Sequence, residues 1–324
     1  MDHANTGGYS FLGATLPLSR ETYNKPALTF EEQLDQKLIP RGLVVPDRDR
    51  ALRWLQRVGY YRLSGYLYPY RFSRSDDTFR AGASFDTAIS VYKFDARLRL
   101  LMLQAIERIE VAMRTSVTYH LSHELGPFGH MEEAHFKPYI PAGPNNPARG
   151  LDFADFKGKA RTNEKQSSEV FVSHYRANYD NESLPLWMLT EIISFGTLSR
   201  IVENLSDRQI QRLIARDLAL SQTQLVSWMR CLCYVRNICA HHGRLWNREL
   251  SVKPELLQRW RMQGVTRDKL YVVLLVVLHL LHEIAPNCNW KERVSDHILS
   301  NQDIAVSAMH FPGDWYRIDP WKLI

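Results

Sequence analysis

Residues 221–242 read SQTQLVSWMRCLCYVRNICAHH, and this stretch predicts one long amphipathic helix. Ser221 and Gln224 match a capping box at its start, and Gly243 follows as a natural terminator. Apolar side chains recur at three- and four-residue spacing, which predicts packing against other helices. The remaining periodic segments have the same spacing, and no strand pattern of useful length occurs in the sequence.

The periodicity therefore predicts an all-α protein built as a helical bundle. We divide it into a flexible N-terminus (1–25), an N-terminal helical subdomain (26–90), a main helical domain (91–285) and a C-terminal tail packing on the bundle (286–324). Within the main domain, the Pro- and Gly-containing residues 124–183 predict an irregular insertion.

The same spacing sets the expected helix bounds. Thr29 and Glu32 form a second capping-box pattern at the start of the first helix. The predicted helices cover residues 29–39, 47–58, 92–121, 168–178, 186–205, 207–218, 221–242 and 268–285.

Composition narrows the function classes. The 324 residues are 45% hydrophobic and 23% charged, with a formal net charge of +6. This charge suits a polyanionic partner and fits an ordinary slightly basic protein equally well. The four cysteines form no CxxC pair, which gives a structural zinc site little support. No other metal and no cofactor is expected.

The expected cellular location follows from the most apolar segment of the chain and from its N-terminal residues. The most apolar run, residues 270–281, is too short to cross a bilayer and predicts a buried core helix. Residues 1–26 lack the pattern of a signal peptide. We therefore expect a cytoplasmic protein without a membrane partner.

A polar cluster interrupts the apolar helix at Arg236, Asn237 and His241. Arg236 shares the apolar stripe, so we expect its guanidinium to be buried, which costs several kcal/mol unless the charge is paired. One interpretation is a buried pair, for instance with Glu191, together with a histidine that caps the helix. The other is a catalytic site.

The chemistry of the catalytic interpretation is RNA cleavage. A histidine exchanges protons near neutral pH, and an arginine binds a phosphate through two parallel hydrogen bonds. Asn237 and His241 are four residues apart and share one helix face. No carboxylate cluster accompanies them, which disfavours a metal-dependent nuclease.

At residues 235–248, VRNICAHHGRLWNR, the chain resembles the central motif of the Abi-like abortive-infection family. Further blocks in the same order are similar to that family: TFEEQL (29–34), GYYRLSGY (59–66), AIERIEV (105–111), LPLW (184–187), SFGTLS (194–199) and Phe311-Pro312 to Pro320-Trp321. The family belongs to the HEPN group of four-helix bundles. Its R-N-x-x-x-H motif marks metal-independent endoribonucleases, in which two motifs usually meet across a dimer.

The resemblance implies a HEPN-like bundle in which Arg236 and His241 are catalytic and Asn237 is supporting. The adjacent His242, Arg244 and Arg248 match the family pattern, and we expect them to contact RNA phosphates. The basic residues of the insertion either bind RNA as well or lie in a solvated loop; they are Lys157, Lys159, Arg161 and Lys165.

Two other segments leave alternatives open. Arg114 and His120 on the long helix could supply a second half-site, or Arg114 could pair with Glu110 four residues earlier while His120 packs. The tyrosine-rich residues 60–70 could stack RNA bases or form a packing ridge between helices.

The leading hypothesis is an endoribonuclease of an abortive-infection or toxin–antitoxin system. The alternative is a non-catalytic RNA-binding or assembly protein with the same fold. The expected partners are RNA, as substrate or as a structured non-coding RNA, and a second copy of the chain. In that homodimer the two 221–242 helices are expected to approach each other.

Overall fold

The computed structural model describes residues 22, 24–73, 76–143, 146–301 and 303–322. Extended contacts among these residues are limited to isolated bridges, so the predicted all-α fold is confirmed. The predicted flexible N-terminus (1–25) lies mostly outside the described residues. The helices are α1 (Phe30–Glu32, continued by a π-helix over Gln33–Leu38), α2 (Arg48–Val58), α3 (Tyr60–Leu67), α4 (Phe85–Leu125), α5 (Phe153–Gln166), α6 (Val170–Asn178), α7 (Leu186–Ile192), α8 (Phe195–Asn204), α9 (Arg208–Asp217), α10 (Gln222–Ala240), α11 (Gln258–Met262), α12 (Leu270–Ile284) and α13 (Trp290–Leu299).

Helix α4 is the helix around which the others assemble. It runs for 41 residues, a length of about 60 Å, and α3, α7, α9, α10, α12 and α13 pack against it. The sequence predicted a shorter helix, over residues 92–121. The Ser84 side chain accepts a hydrogen bond from the backbone N–H of Asp86, which starts the helix earlier, and the helix ends before Gly126, where φ is 76°.

Helix α12 forms the most apolar part of the core. Every residue from Leu270 to Leu278 is buried, as the sequence predicted for a core helix. In the described part of the chain, no helix combines the length and the apolarity that crossing a bilayer requires.

The predicted helix over 186–205 is instead two helices, α7 and α8. Ile193 is extended between them, and the Ser194 hydroxyl accepts a hydrogen bond from the backbone N–H of Thr197 at 3.1 Å. Because an N-cap side chain satisfies amides that have no partner within the helix, Ser194 starts a new helix where the apolar pattern continues.

The insertion is partly helical. Helix α6 corresponds to the predicted segment 168–178, whereas α5 was not predicted. Phe153 and Phe156 of α5 lie 5.9 and 6.4 Å from the ring of Phe136, measured between ring centroids. These rings fix α5 to the rest of the insertion, because aromatic pairs at such separations contribute beyond the area they bury.

A buried carboxylate on α4, that of Asp95, joins three parts of the fold. Asp95 is 0% exposed. It accepts hydrogen bonds from the Tyr66 hydroxyl of α3 at 2.6 Å, from Arg99 at 2.5 Å, and from the backbone amides of Leu245 and Trp246 at 3.1 and 2.6 Å. Burial and the neighbouring Asp95 raise the pKa of Tyr66, so its hydroxyl keeps the proton that it donates.

We expect Asp95→Ala to lower the free energy of unfolding by about 3 kcal/mol, because it leaves the Arg99 charge and two backbone amides buried without their partner. Urea denaturation followed by circular dichroism measures this change. Asp35→Ala is the control, since Asp35 pairs with Arg48 at the surface and exposed ion pairs contribute little. Equal destabilisation by the two variants would show that Asp95 does not hold the fold together.

Candidate active site at the end of helix α10

Helix α10 begins with the predicted capping box. The Ser221 hydroxyl accepts from the backbone N–H of Gln224 at 3.3 Å, and the Gln224 side chain accepts from the backbone N–H of Ser221 at 2.8 Å. The last helical residue is Ala240, and His241 is the C-cap. The motif residues Arg236 and Asn237 therefore lie in the last two turns of the helix, with His241 at its end.

The chain reverses after α10 through a left-handed residue that is a histidine. His242 has φ 56°. Its backbone N–H bonds the carbonyl of Cys239 at 3.1 Å, and the N–H of Gly243 bonds the carbonyl of Ile238 at 2.8 Å. This is the Schellman arrangement, which usually places glycine at the left-handed position. The terminator predicted at Gly243 thus has another role: a Cβ there would meet the Cγ2 and carbonyl oxygen of Ile238 at 3.2 Å.

Arg236 is not buried, contrary to the expectation from its place on the apolar stripe. Its side chain is 40% exposed. Its guanidinium lies 4.0 Å from the carboxylate of Glu110 on α4 and donates to the Asn237 side chain at 3.3 Å. The suggested partner Glu191 is itself exposed. Arg236 lies at the edge of the stripe, so its long side chain reaches solvent and avoids the cost of full burial.

Arg236 lines an open depression between α10 and α4. Glu110 faces it and also pairs with Arg114, which donates to the backbone carbonyls of Thr190 and Ile193. The depression has a volume of about 540 Å³, and its lining residues are Leu103, Gln104, Glu107, Glu110, Val111, Arg114 and Arg236.

His241 lines a second depression, between the end of α10 and helix α3. In the tyrosine-rich segment, Tyr66 is buried and packs, whereas Tyr61 is 84% exposed. An exposed ring beside basic groups can stack an unpaired nucleobase. The lining residues are Val58, Gly59, Tyr61, Arg62, Gly65, Tyr66, His241, His242, Gly243 and Arg244.

Arg236 and His241 therefore line different depressions of one chain. Asn237, which is exposed, lies next to Arg236 along the same end of α10. The five-residue spacing turns the two side chains about 140° apart around an ideal helix. We therefore expect that one copy does not place both side chains on the same phosphate.

The arginines that flank the motif brace the backbone. Arg62 of α3 donates to the carbonyl of His242, Arg244 to that of Gly65 at 2.9 Å, and Arg248 to that of Arg244 at 2.5 Å. Burial lowers the pKa of Arg244. These contacts fix the loop after α10 against α3, and the phosphate contacts expected for Arg244 and Arg248 remain a prediction.

The possible second half-site is occupied by structural contacts. The Arg114–Glu110 pair suggested by the four-residue spacing is present. His120 lies 2.9 Å from the carboxylate of Asp217 on α9. Arg114 and His120 thus each connect α4 to a neighbouring part of the bundle, as in the structural interpretation of these residues.

The basic residues of the insertion lie on α5 and not in a loop. Lys157 lies over the ring of Phe153, Lys159 bonds Asp155 at 2.7 Å, and Arg161 pairs with Glu182. Lys165 is in the last turn of the same helix. None of these residues lines the two depressions that hold Arg236 and His241.

Three of the four cysteines are thiols of low reactivity. Burial raises the pKa values of Cys231, Cys233 and Cys239 to about 12, whereas the thiolate is the form that attacks or binds metal. In the part of the chain that the structure describes, no group of three or more His, Cys, Asp or Glu residues could hold a metal ion.

The sequence alone did not reveal the roles of two residues that support the site, Asp95 and Glu110. Asp95 lies among the apolar positions Val91, Phe94 and Leu98 of α4, and an acidic residue at a core position signals a buried polar contact. Glu110 was considered only as a partner of Arg114. Its approach to Arg236 depends on how α4 and α10 pack, which spacing along one helix does not reveal.

The fold and the polar end of α10 define an all-α protein with a candidate active site at a helix terminus. The model of the family described as Abi-like protein matches residues 53–247, which include α3, α4 and all of α10. The chain therefore belongs to the Abi-like protein family, and this membership suggests a role in abortive infection or defence. No curated protein and no solved structure matched the chain significantly.

The left-handed His242 leads to a stability prediction. We expect His242→Gly to stabilise the protein by about 1 kcal/mol, because glycine adopts a positive φ without the clash of a Cβ. His242→Ala is the control, since it removes the imidazole and keeps the Cβ. Thermal unfolding by differential scanning fluorimetry compares the three proteins. A midpoint for His242→Gly no higher than that for His242→Ala would refute the idea of backbone strain.

Proposed function

We propose that this protein is a metal-independent endoribonuclease acting in abortive infection, with Arg236, Asn237 and His241 in its active site. The observation that carries the proposal is that all three polar side chains lie at the accessible end of the amphipathic helix α10. A buried arginine pair with a capping histidine would need a buried guanidinium, and Arg236 is 40% exposed. Membership of the Abi-like family supports the defence role.

The residues suit cleavage through the RNA 2′-hydroxyl. An imidazole such as that of His241 takes the 2′-hydroxyl proton while the 2′-oxygen attacks the adjacent phosphorus. The bond from phosphorus to the 5′-oxygen breaks, and a second imidazole or water protonates that leaving oxygen. The product is a 2′,3′-cyclic phosphate. Arg236 binds the phosphate and stabilises the charge that builds on it.

A second copy of the chain would complete the site. Because Arg236 and His241 line separate depressions, a two-fold axis near the end of α10 would bring residues of both copies together. The stripe of α4 beside Arg236 supports this, since Leu100 and Val111 are each 59% exposed. An interface over this face would bury both apolar side chains.

The alternative is an RNA-binding or assembly protein without cleavage. The separation of Arg236 from His241 within one copy favours this alternative if the chain is a monomer. Catalysis and oligomeric state are therefore tested together.

We expect the purified protein to cleave single-stranded RNA in EDTA and to leave 2′,3′-cyclic phosphate ends. His241→Ala should reduce cleavage by about 10²-fold or more with little change in RNA affinity, because a positioned acid or base contributes that much to rate. Arg236→Ala should weaken both binding and cleavage. Gel-based cleavage assays and filter binding measure the two quantities.

The matched control is His282→Ala, which removes an exposed histidine from α12 and should leave cleavage unchanged. Activity that disappears in EDTA and returns with Mg²⁺ would contradict the mechanism. A His241→Ala protein that no longer binds RNA would show that the histidine has a structural role.

We expect Leu100→Glu to convert a dimer into a monomer and to abolish cleavage, because a charge placed in an apolar interface must be desolvated. Leu100 does not line the depression that holds Arg236, so the substitution leaves that depression unchanged. Light scattering gives the molar mass. Val170→Glu is the matched control, since Val170 on α6 is 82% exposed and far along the chain from the motif. A wild-type monomer with full activity would rule out the shared site.

A further inference from the structure

A second polar surface, which we call the insertion groove, adjoins helix α10. Its walls are residues 137–139 and 147–152 of the insertion, helix α8 and helix α10, and its volume is about 930 Å³. The cationic residues that line it are Lys137, Arg149, Arg200 and Arg230. None of them was singled out in the sequence, because they come from three separate segments.

Two arginines of the insertion groove are held loosely, whereas the Lys137 ammonium donates to the backbone carbonyl of Glu203. Arg200 lies 3.6 Å from Asp155, and Arg230 lies 3.2 Å from Glu203. The arginine side chains are 44% and 56% exposed. Exposed pairs of this kind contribute little to stability, so a phosphate can replace the carboxylate at small cost.

The insertion groove continues into a neighbouring depression of about 520 Å³. Lys137, Glu203 and Arg230 line both, and the second adds Lys253 and Arg267. Across the two, six cationic residues face three acidic ones, Asp152, Asp155 and Glu203. This balance favours an extended polyanion.

The groove leads to the motif along one face of α10. Arg230, Cys233 and Asn237 follow each other at three- and four-residue spacing, so they share that face. Arg230 and Asn237 are separated by about 10 Å along the helix axis. His241 is one turn further, and beyond it lies the exposed ring of Tyr61.

We propose that the insertion groove binds the sugar–phosphate backbone of a single-stranded RNA whose cleaved bond lies at the end of α10. This inference rests on the proposed function. Lys137, Arg200 and Arg230 contact successive phosphates, and the strand follows α10 towards Asn237 and His241. The RNA is single-stranded because only an unpaired base can lay its face on Tyr61.

The test compares two triple variants that each remove three positive charges. The groove variant is Lys137→Gln, Arg200→Gln and Arg230→Gln. The control variant is Arg208→Gln, Arg212→Gln and Arg216→Gln, which removes exposed arginines at four-residue spacing from α9. Both are made with His241→Ala, so that a single-stranded RNA oligonucleotide is bound without being cut, and filter binding is measured at several salt concentrations.

We expect the groove variant to bind more weakly and the magnitude of the negative slope of log K against log salt to fall by about 2, since each phosphate contact on a single strand contributes about 0.7. The control variant should keep the slope of the parent. Circular dichroism checks folding, and Arg230→Gln compared with Arg230→Lys repeats the test with one side chain should the triple variant unfold.

The outcomes separate this inference from the proposed function. A parent protein that binds RNA through the groove while the wild type never cleaves it would refute the ribonuclease and leave the groove standing. A wild type that cleaves, with a groove variant that binds like its parent, would overturn the groove. Equal weakening by both triple variants, or greater weakening by Lys157→Gln, Lys159→Gln and Arg161→Gln together, would also overturn it.

Discussion

The carboxylate of Asp95 is the contact on which the site depends. It is buried on the longest helix and accepts hydrogen bonds from Tyr66 of α3, from Arg99 and from two backbone amides just after the motif. A buried carboxylate is unfavourable unless nearly all of its acceptor positions are used, and here they hold three segments that are distant in sequence. The end of α10, its following loop and α3 therefore keep one relative position, which is what a site shared between them requires.

This constraint explains why a histidine can occupy the left-handed position after α10. The amides of Leu245 and Trp246 are fixed by Asp95, and Arg62 holds the carbonyl of His242. These surrounding contacts hold His242 in its conformation, because together they outweigh the conformational free energy that a positive φ costs. The turn presents His241 to solvent beside α3.

The sequence predicted those features that depend on local chemistry. The capping boxes at Thr29 and Ser221 and the burial of α12 are confirmed. Both features depend only on residues that are close together in the sequence of one helix. The exposure of Arg236 was not predicted, since helical spacing places a side chain on a stripe and does not say where its far end lies. Helix α5 was missed because its aromatic anchors meet Phe136, a contact that arises only when the insertion folds.

The contacts of Glu110 explain how Arg236 can stay free to bind a phosphate. Glu110 lies between two arginines, but they are not equivalent. Arg114 is 13% exposed, pairs with Glu110 and also donates to two backbone carbonyls. Arg236 is 40% exposed, and its distance of 4.0 Å from the same carboxylate is too long for a hydrogen bond. The stronger contacts keep Glu110 with Arg114 when Arg236 moves. Arg236 can therefore turn towards a phosphate without leaving the partly buried Glu110 carboxylate unpaired, because the desolvation of Glu110 stays compensated by Arg114. A phosphate that exchanges for a loosely held carboxylate gains charge-assisted hydrogen bonds at small cost to the fold.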